Sequence, residues 1–461
     1  MVPVEVEDPE PQLPAGSVRR RRWIGIGVIA ALVAAVIATN VVDAWRERER
    51  RAALAQLGWV LPRMDGPLQE VWRAPGGFPT GAAPELIITS GGGDGQVSAI
   101  DTSTGEVRWS RGDTGSYTQC WPLGAVEPAT DPMALPVSEA LVCYPWMLFR
   151  DPLPGESTTV AVVDPSTGAE QASVTLAGYL LGQEAVGQDL LLAAVDAGGT
   201  LVVTRWQPRT GRELWTYRSA PGRMADSTSG WGFGVVGGTV LVDADSRVRL
   251  DLATGLEVSG PEGAEPESLP LTFLESLPDG GTVEWSLTPA GVVAGGQVVE
   301  ADGRVRFTFS GEPLHPWHTD GSTPNVLLVQ DRRAAEVTGL DVRTGEELWR
   351  LDLLDPNDSL PVLQIDGTLL LLGYSSVMAI DIRDGTVLWQ LVTQGFSSGV
   401  ATDGDLVLIG RSYVPRGVLV ALDLRTGVEA WRVPIAGPVQ EVRVVGQNVL
   451  VTTGEQVIAL R

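Results

Sequence analysis

The chain is predicted to be all-β, a closed β-propeller of four-stranded antiparallel blades preceded by one N-terminal transmembrane helix, and three observations predict it. A run of alternating apolar residues, a tight turn ending in glycine and a further strand recur eight times between Asp101 and Trp431. The turn glycines Gly105, Gly168, Gly211, Gly255, Gly303, Gly345, Gly385 and Gly427 lie 63, 43, 44, 48, 42, 40 and 42 residues apart, a strand-built period that reads as propeller blades. The two ends of the repeated region are complementary pieces of one further repeat.

Taken in order, residues 1–22 are predicted to be a disordered cytoplasmic tail. Pro3, Pro9, Pro11 and Pro14 stand among Glu5, Glu7, Asp8 and Glu10, too little apolar surface to order a segment. Trp23–Val42 follows without a charge, and 20 residues at about 1.5 Å each span a bilayer core of roughly 30 Å. This stretch exceeds the apolar part of a cleavable signal and is predicted to be a retained transmembrane helix over 23–42. Arg19–Arg22 before it favour a cytoplasmic N-terminus, while Arg46, Arg48, Arg50 and Arg51 after it nearly balance them. Residues 43–67 are predicted to be a stalk and linker, helical over Ala44–Leu57 and ended by Pro62.

Residues 68–461 form the repeated unit. Its clearest turns read Asp101-Thr-Ser-Thr-Gly105 to Trp109, Asp341-Val-Arg-Thr-Gly345 to Trp349, Asp381-Ile-Arg-Asp-Gly385 to Trp389 and Asp423-Leu-Arg-Thr-Gly427 to Trp431. Asp bonds backbone amides two residues on and Gly takes a positive φ, so the motif reverses the chain between antiparallel strands. Segments such as Val97-Ser-Ala-Ile-Asp101 carry the strand period of two. Four copies are worn: Asp164–Gly168 and Asp251–Gly255 lack the tryptophan, Gln207 replaces Asp before Gly211 and Trp215, and Asp302-Gly303 ends on Phe307. A tryptophan at a repeated position is first a packing residue, set to wedge between neighbouring sheets.

The last repeat, Val439–Arg461, lacks a fourth strand, and Leu68-Gln-Glu-Val-Trp72-Arg73 is a fourth strand with no repeat before it. Pairing them closes the ring and leaves no bare sheet edge. Eight turns and a composite blade count to nine. Two repeats are weak, however, and propellers typically have four to eight blades, so the expectation is eight within a range of seven to nine.

These blades resemble the PQQ-type (quinoprotein-like) propeller repeat, over about residues 68–461, on the strand, Asp-x-x-Thr-Gly, x-x-x-Trp signature. The resemblance implies the fold and is silent about activity. In quinoprotein dehydrogenases of this fold the quinone lies under a disulfide between adjacent cysteines, with calcium held by carboxylate and amide side chains. The two cysteines here, Cys120 and Cys143, are not adjacent, so that ring cannot form. Outer-membrane assembly lipoproteins with the same repeat have no cofactor and serve as scaffolds, and this chain differs from them in having no cysteine near its N-terminus to carry a lipid. Disulfide-compatible cysteines and a fold whose relatives work outside the cytoplasm put the propeller on the outer side of the membrane.

A net charge of −24 argues against nucleic-acid binding, which needs a basic face, and suits an exported domain that must stay soluble. All 33 basic side chains are arginine, the usage of a GC-rich bacterial coding sequence. The long interval Gly105–Gly168 holds Cys120 and Cys143, expected to be bridged and worth roughly 3 kcal/mol in the chain-entropy account. It also holds Tyr117, Trp121, Tyr144, Trp146 and Phe149, an aromatic insertion that is either a contact surface or the packing at its own base. Glu257–Gly281, with Glu262, Glu265, Glu267 and four prolines, reads as a solvated acidic loop.

Sharper motifs fail on their context. Gly232-Phe-Gly234-Val-Val-Gly237 matches a dinucleotide fingerprint in letters, but the strand-like Thr239–Val242 follows where a helix should begin, so it reads as a blade turn. His315 and His318 are too few for a zinc site, and no Gly-x-Ser-x-Gly elbow accompanies them. Asp94-Gly95 and Asp403-Gly404 are turn formers without a calcium-loop pattern. No catalytic, cofactor or metal residues are expected. The expected function is a non-enzymatic extracytoplasmic platform, anchored in the cell membrane, for another envelope protein or ligand. The alternatives are a quinone- or sugar-linked oxidoreductase with its site in the propeller funnel, and an extracellular sensor.

Overall fold

The computed structural model describes residues 40–42, 44–83, 85–91, 95–112, 117–123, 135, 137–145, 155–222, 232–236, 238–243, 248–258, 271–277, 279–287, 293–354, 360–373, 375–392, 395, 398–413 and 416–461. The chain divides into two compact units, Met1–Leu57 and Gly58–Arg461. In the first, residues 44–54 are helical, and Glu47 pairs with Arg50 at 3.0 Å one turn on. The helix ends at Leu54, well before Pro62, because i→i+3 bonds from Gln56 to Ala53 and Leu57 to Leu54 tighten its last turn. Among the described residues no helix is long and apolar enough to cross a membrane, and most of the predicted span 23–42 lies outside them.

The second unit is a ring of sheets. In chain order their strands run Phe78–Ala83 to Val107–Arg111, Thr118–Pro122 to Glu170–Ala177, Tyr179–Val186 to Arg212–Arg218, Gly232–Val236 to Val248–Asp251, Leu271–Ser276 to Val305–Phe309, Glu312–Leu314 to Glu347–Asp352, Leu360–Ile365 to Val387–Val392, Ala401–Thr402 to Glu429–Ile435, and Glu441–Val445 to Gln456–Leu460. We call these blades 1 to 9. Nine corrects the expected eight: the two weakest repeats, around Gly255 and Gly303, each carry a sheet of their own. Within each blade consecutive strands pair antiparallel. The fourth strand of blade 9 is Glu70–Pro75, whose Trp72, Arg73 and Ala74 oppose Ala459, Ile458 and Val457. Gln69 and Arg461 exchange backbone bonds at 2.8 and 2.9 Å, sealing the ring.

Apolar clusters lie between blades rather than inside them. Trp72, Ala74, Ile87, Ile100, Leu450 and Val457 join blade 9 to blade 1, and Leu328, Val337, Trp349, Leu369 and Ile380 join blade 6 to blade 7. First strands of neighbouring blades lie against one another, Phe78–Ala83 beside Thr118–Pro122 and Tyr179–Val186 beside Gly232–Val236, so they face the hub.

The turns work as the sequence indicates. Asp101 Oδ1 accepts from the amides of Ser103 and Thr104 at 2.9 and 3.0 Å, and Thr104 Oγ1 accepts from Glu106 N–H at 3.2 Å. The same pattern returns at Asp341 and Asp423. The Ser103 hydroxyl, with Arg108 beside it, holds the Asp101 carboxyl well below the usual carboxylate range. Asp341 is lowered by the Arg343 amide and Asp251 by the Thr254 hydroxyl. A depressed folded-state pKa lends stability above the unfolded value, near 3.9 for Asp, and that stability is lost as pH falls through the folded value. Denaturant midpoints are therefore expected to fall progressively below about pH 4, and Asp101→Asn should lower the pH 7 midpoint while making the acid limb shallower.

Six of the eight turn glycines also receive the ring of the preceding blade. The indole N–H groups of Trp72, Trp109, Trp215, Trp349 and Trp389 donate to the carbonyls of Thr102, Pro165, Leu252, Ile382 and Leu424. A Cβ on Gly105, Gly168, Gly255, Gly385 or Gly427 would stand 2.5–2.8 Å from those rings. In blade 5 Phe307 supplies the ring against Gly345, and the adjacent Arg306 supplies the donor, Nη1 to Val342 O at 2.9 Å. Gly211 and Gly303 face blades that lack an aromatic residue at this position, and no described atom lies within 4 Å of their Cβ positions.

This contrast makes a test. Gly427→Ala sets a methyl 2.6 Å from Trp389 at φ +68 and is expected to cost about 2–5 kcal/mol, from left-handed strain plus overpacking. Gly211→Ala, at φ +67 in open space, should cost only about 1–2 kcal/mol. Urea titration of the two variants reads the difference.

Candidate functional site

Two places follow from the sequence reading, the hub where a funnel ligand would sit and the aromatic segment around the two cysteines. The hub is built by segments outside the repeat. Val60 bridges Thr402 in parallel, on the side of the blade 8 first strand that faces the hub, with Leu61 N–H donating to Thr402 O at 2.8 Å. His318-Thr319 likewise adds in parallel to the blade 7 first strand, opposite Leu363 and Gln364. Between them Trp59 stacks on His318, with ring centroids 4.7 Å apart and planes inclined by 28°. Both residues are buried, Leu61 and Met64 enter the core between blades 8 and 9, and Met64 N–H donates to Asp403 Oδ2 at 2.8 Å. Gly58–Met64, read from sequence as part of the 43–67 linker, thus packs within the propeller unit.

The two histidines do not converge. His315 Nε2 lies 2.6 Å from Glu275 Oε2 at the surface, while His318 is held in the aromatic stack. Among the described residues no three His, Cys, Asp or Glu side chains are grouped as metal ligands. Gly232–Val236 and Thr239–Asp243 form a hairpin, so this glycine-rich stretch is blade backbone.

Cys120 and Cys143 are disulfide-bonded, with Cα atoms 4.1 Å apart. They are direct partners on the first two strands of blade 2, and both are buried against blade 1. The interval expected to be an insertion is therefore the body of a blade with long connections, because the continuous apolar runs Leu141–Tyr144 and Val160–Val163 supply strands buried on both faces. Thr118–Pro122 puts Trp121 on the face opposite Cys120, where its indole donates to Gln119 Oε1 at 3.3 Å. Tyr144 lies across from Gln119 and beside the core shared with blade 3, and burial pushes its hydroxyl pKa up. Trp121 and Tyr117 are exposed, and Trp146 lies outside the described residues, as does Phe149.

The expected acidic loop Glu257–Gly281 is shorter than it reads. Leu271–Ser276 is the first strand of blade 5, as its apolar residues Leu271, Phe273 and Leu274 allow, and Glu257 bridges Leu250 and accepts from Tyr217 Oη at 2.9 Å. Glu262, Glu265 and Glu267 lie outside the described residues.

Sequence reasoning missed Trp59 and the His318 stack. The available signal was Trp59-Val60-Leu61, three apolar residues set off by Gly58 from a helix rich in charge.

Comparison with known proteins agrees on the repeat. A family described as "Outer membrane protein assembly factor BamB" matches residues 373–461. Methanol dehydrogenase [cytochrome c] subunit 1 of Methylorubrum extorquens is 26% identical over 167 residues, 36% of this chain and 21% of that protein. Among solved structures, BamB from Moraxella catarrhalis is 16% identical with a TM-score of 0.42, covering 86% of this chain and 100% of its own. Quinohemoprotein alcohol dehydrogenase ADHIIG from Pseudomonas putida HK5 is 13% identical with a TM-score of 0.40, over 88% of this chain and 78% of its own.

Proposed function

We propose that this chain, a propeller of PQQ-type repeats, is a non-catalytic scaffold that is held in the cell membrane by residues 23–42, carries its propeller outside the cytoplasm and docks another envelope protein. The observation that carries the reading is the Trp59–His318 stack, which covers the inner edges of the first strands of blades 7 and 8 with a buried aromatic pair where a funnel ligand would have to meet them. The disulfide is also of the wrong kind for a quinone site, joining cysteines 23 residues apart on two paired strands rather than closing a small ring between adjacent residues. A scaffold needs only a rigid frame, and nine blades with ring-in-turn joints supply one. The described BamB family, an assembly factor, is in keeping with this role.

Crosslinking with mass spectrometry in the native membrane tests the reading, and a specific envelope partner is the expected result. The 26% identity to a methanol dehydrogenase subunit favours a second reading, an oxidoreductase. Added pyrroloquinoline quinone and calcium are expected to leave the melting temperature unchanged and to elicit no dye-linked oxidation. A raised melting temperature together with turnover would decide for the enzyme.

A further inference from the structure

One outer edge of the ring departs from the others. The fourth strands of blades 6, 8 and 9 read Glu347-Leu-Trp-Arg350, Glu429-Ala-Trp-Arg432 and Glu70-Val-Trp-Arg73. In each, the glutamate and the arginine on either side of the tryptophan form an ion pair of 2.5–2.6 Å at the surface. The fourth strands of blades 1, 2, 3 and 5 also carry at least one charged side chain each. Blade 7 reads Val387-Leu-Trp-Gln390, with both charges replaced, and the sequence holds no charge from Gly385 to Thr402.

Val387–Val392 is the outermost strand of its sheet, and among the described residues no further strand pairs with it. Val387, Leu388 and Val392 are exposed, the last by 70%. Charges along a sheet edge guard against edge-to-edge pairing, since an added strand would have to desolvate them. Among the described fourth strands, blade 7 has the one edge without that guard.

The residues of this edge also select what fits it. Residues directly opposite in an antiparallel pair share a face of the sheet. Two copies paired about a two-fold axis at Gln390 set Gln390 against Gln390 and Leu388 against Val392. A primary amide both donates and accepts, so the two glutamines can bond each other, while Leu388 and Val392 cover one another. In blades 6, 8 and 9 the same arrangement would set arginine against arginine, and like charges directly opposite are destabilising. The blade 7 strand is therefore complementary to itself, and those three are not.

We propose that the chain forms a two-fold dimer by antiparallel pairing of the blade 7 edge, Val387–Val392, with the same strand of a second copy. Six residues a side make a small contact, so the dimer is weak and the dilute protein monomeric. This dimer and the scaffold role are independent, and either can hold without the other.

Sedimentation velocity of the full chain in detergent is the test, with monomer expected below about 1 μM and dimer growing in toward about 100 μM. Val387→Glu combined with Gln390→Arg restores the pattern of blades 6, 8 and 9. It should weaken dimerisation at least about tenfold (1.4 kcal/mol per decade) with an unchanged circular dichroism spectrum. Val392→Lys takes its place should the double variant not fold, with the same loss required. Cys120 and Cys143, the two cysteines of the chain, are bonded to each other, so Gln390→Cys supplies a single free thiol. Opposite Cα atoms in an antiparallel pair stand about 4.5–5.5 Å apart, within disulfide reach, and mild oxidation should link two chains. Arg350→Cys, at the matching place in blade 6, should not link. A chain that stays monomeric up to 100 μM, a dimer that survives the substitutions, or equal linking at 350 and 390 would overturn the proposal. Linking of Gln390→Cys to a different protein in the native membrane would also overturn it, assigning the edge to another polypeptide. Self-association of the purified chain is read apart from crosslinking to an envelope partner, so failure of one does not obscure the other.

Discussion

Trp389→Ala is expected to destabilise the propeller by about 3–5 kcal/mol in denaturant titration, the range for removing a large buried aromatic side chain. The ring is 8% exposed, lies against Gly427 and gives its N–H to Leu424 O at 2.9 Å. Its loss leaves a cavity at a joint and a carbonyl without its donor, and each adds to the effect. Trp431 is the control within the same molecule. It faces blade 9, whose last strand comes from Glu70–Pro75 and brings no Asp-x-x-Thr-Gly hairpin. Its Nε1 is buried without a hydrogen-bond partner among the described residues. Trp431→Phe should therefore be near neutral or stabilising, since it removes a buried donor that has no acceptor, while Trp389→Phe should cost about 1–3 kcal/mol. Equal losses at the two positions would show that the indole hydrogen bond contributes nothing to the joint.

A chain lacking residues 1–75 is expected not to form the soluble monomer that a chain lacking only residues 1–42 forms. Without Glu70–Pro75 the strand Gln456–Leu460 becomes an edge of five residues, four of them apolar and buried in the closed ring. Gly105 also loses the ring of Trp72. A bare apolar edge templates pairing with a second chain, so sedimentation should report oligomers or aggregate. A peptide spanning Leu68–Pro75, added during refolding, should restore a monomeric fraction by supplying the missing strand. A shortened chain that sediments as a stable monomer would mean that closure is dispensable.

The fold was legible because its repeat states its own chemistry. Asp101, Asp341 and Asp423 bond the amides two and three residues on, as the turn sequence implies, and the tryptophan four residues after each glycine enters the next blade. The blade count was harder to read, since the repeats around Gly255 and Gly303 depart from the pattern. In blade 5 the departure is compensated by a neighbour, Arg306 making the hydrogen bond that Phe307 cannot. Sheet pairing tolerates such substitutions, so pattern strength understated the number of sheets.

The hub was not legible. Trp59 and His318 meet across a long stretch of chain and belong to no repeat, so neither periodicity nor motif points from one to the other. The cysteine pair was visible as a pair, but its position within a blade depended on strands that long connections hide from a spacing argument. Among the aromatic residues around it, sequence could not separate the exposed Trp121 from the half-buried Tyr144, because that difference is set by blade 3.

Two of the nine joints lack an aromatic residue at the docking position, those that follow blade 2 and blade 4. The joint after blade 2 is compensated from across, where the fully buried Trp206 of blade 3 packs with Val162 and Ala172, so the joint after blade 4 is the weaker seam. Under tension or during partial melting the molecule should part there first, opening the closed circle into an arc.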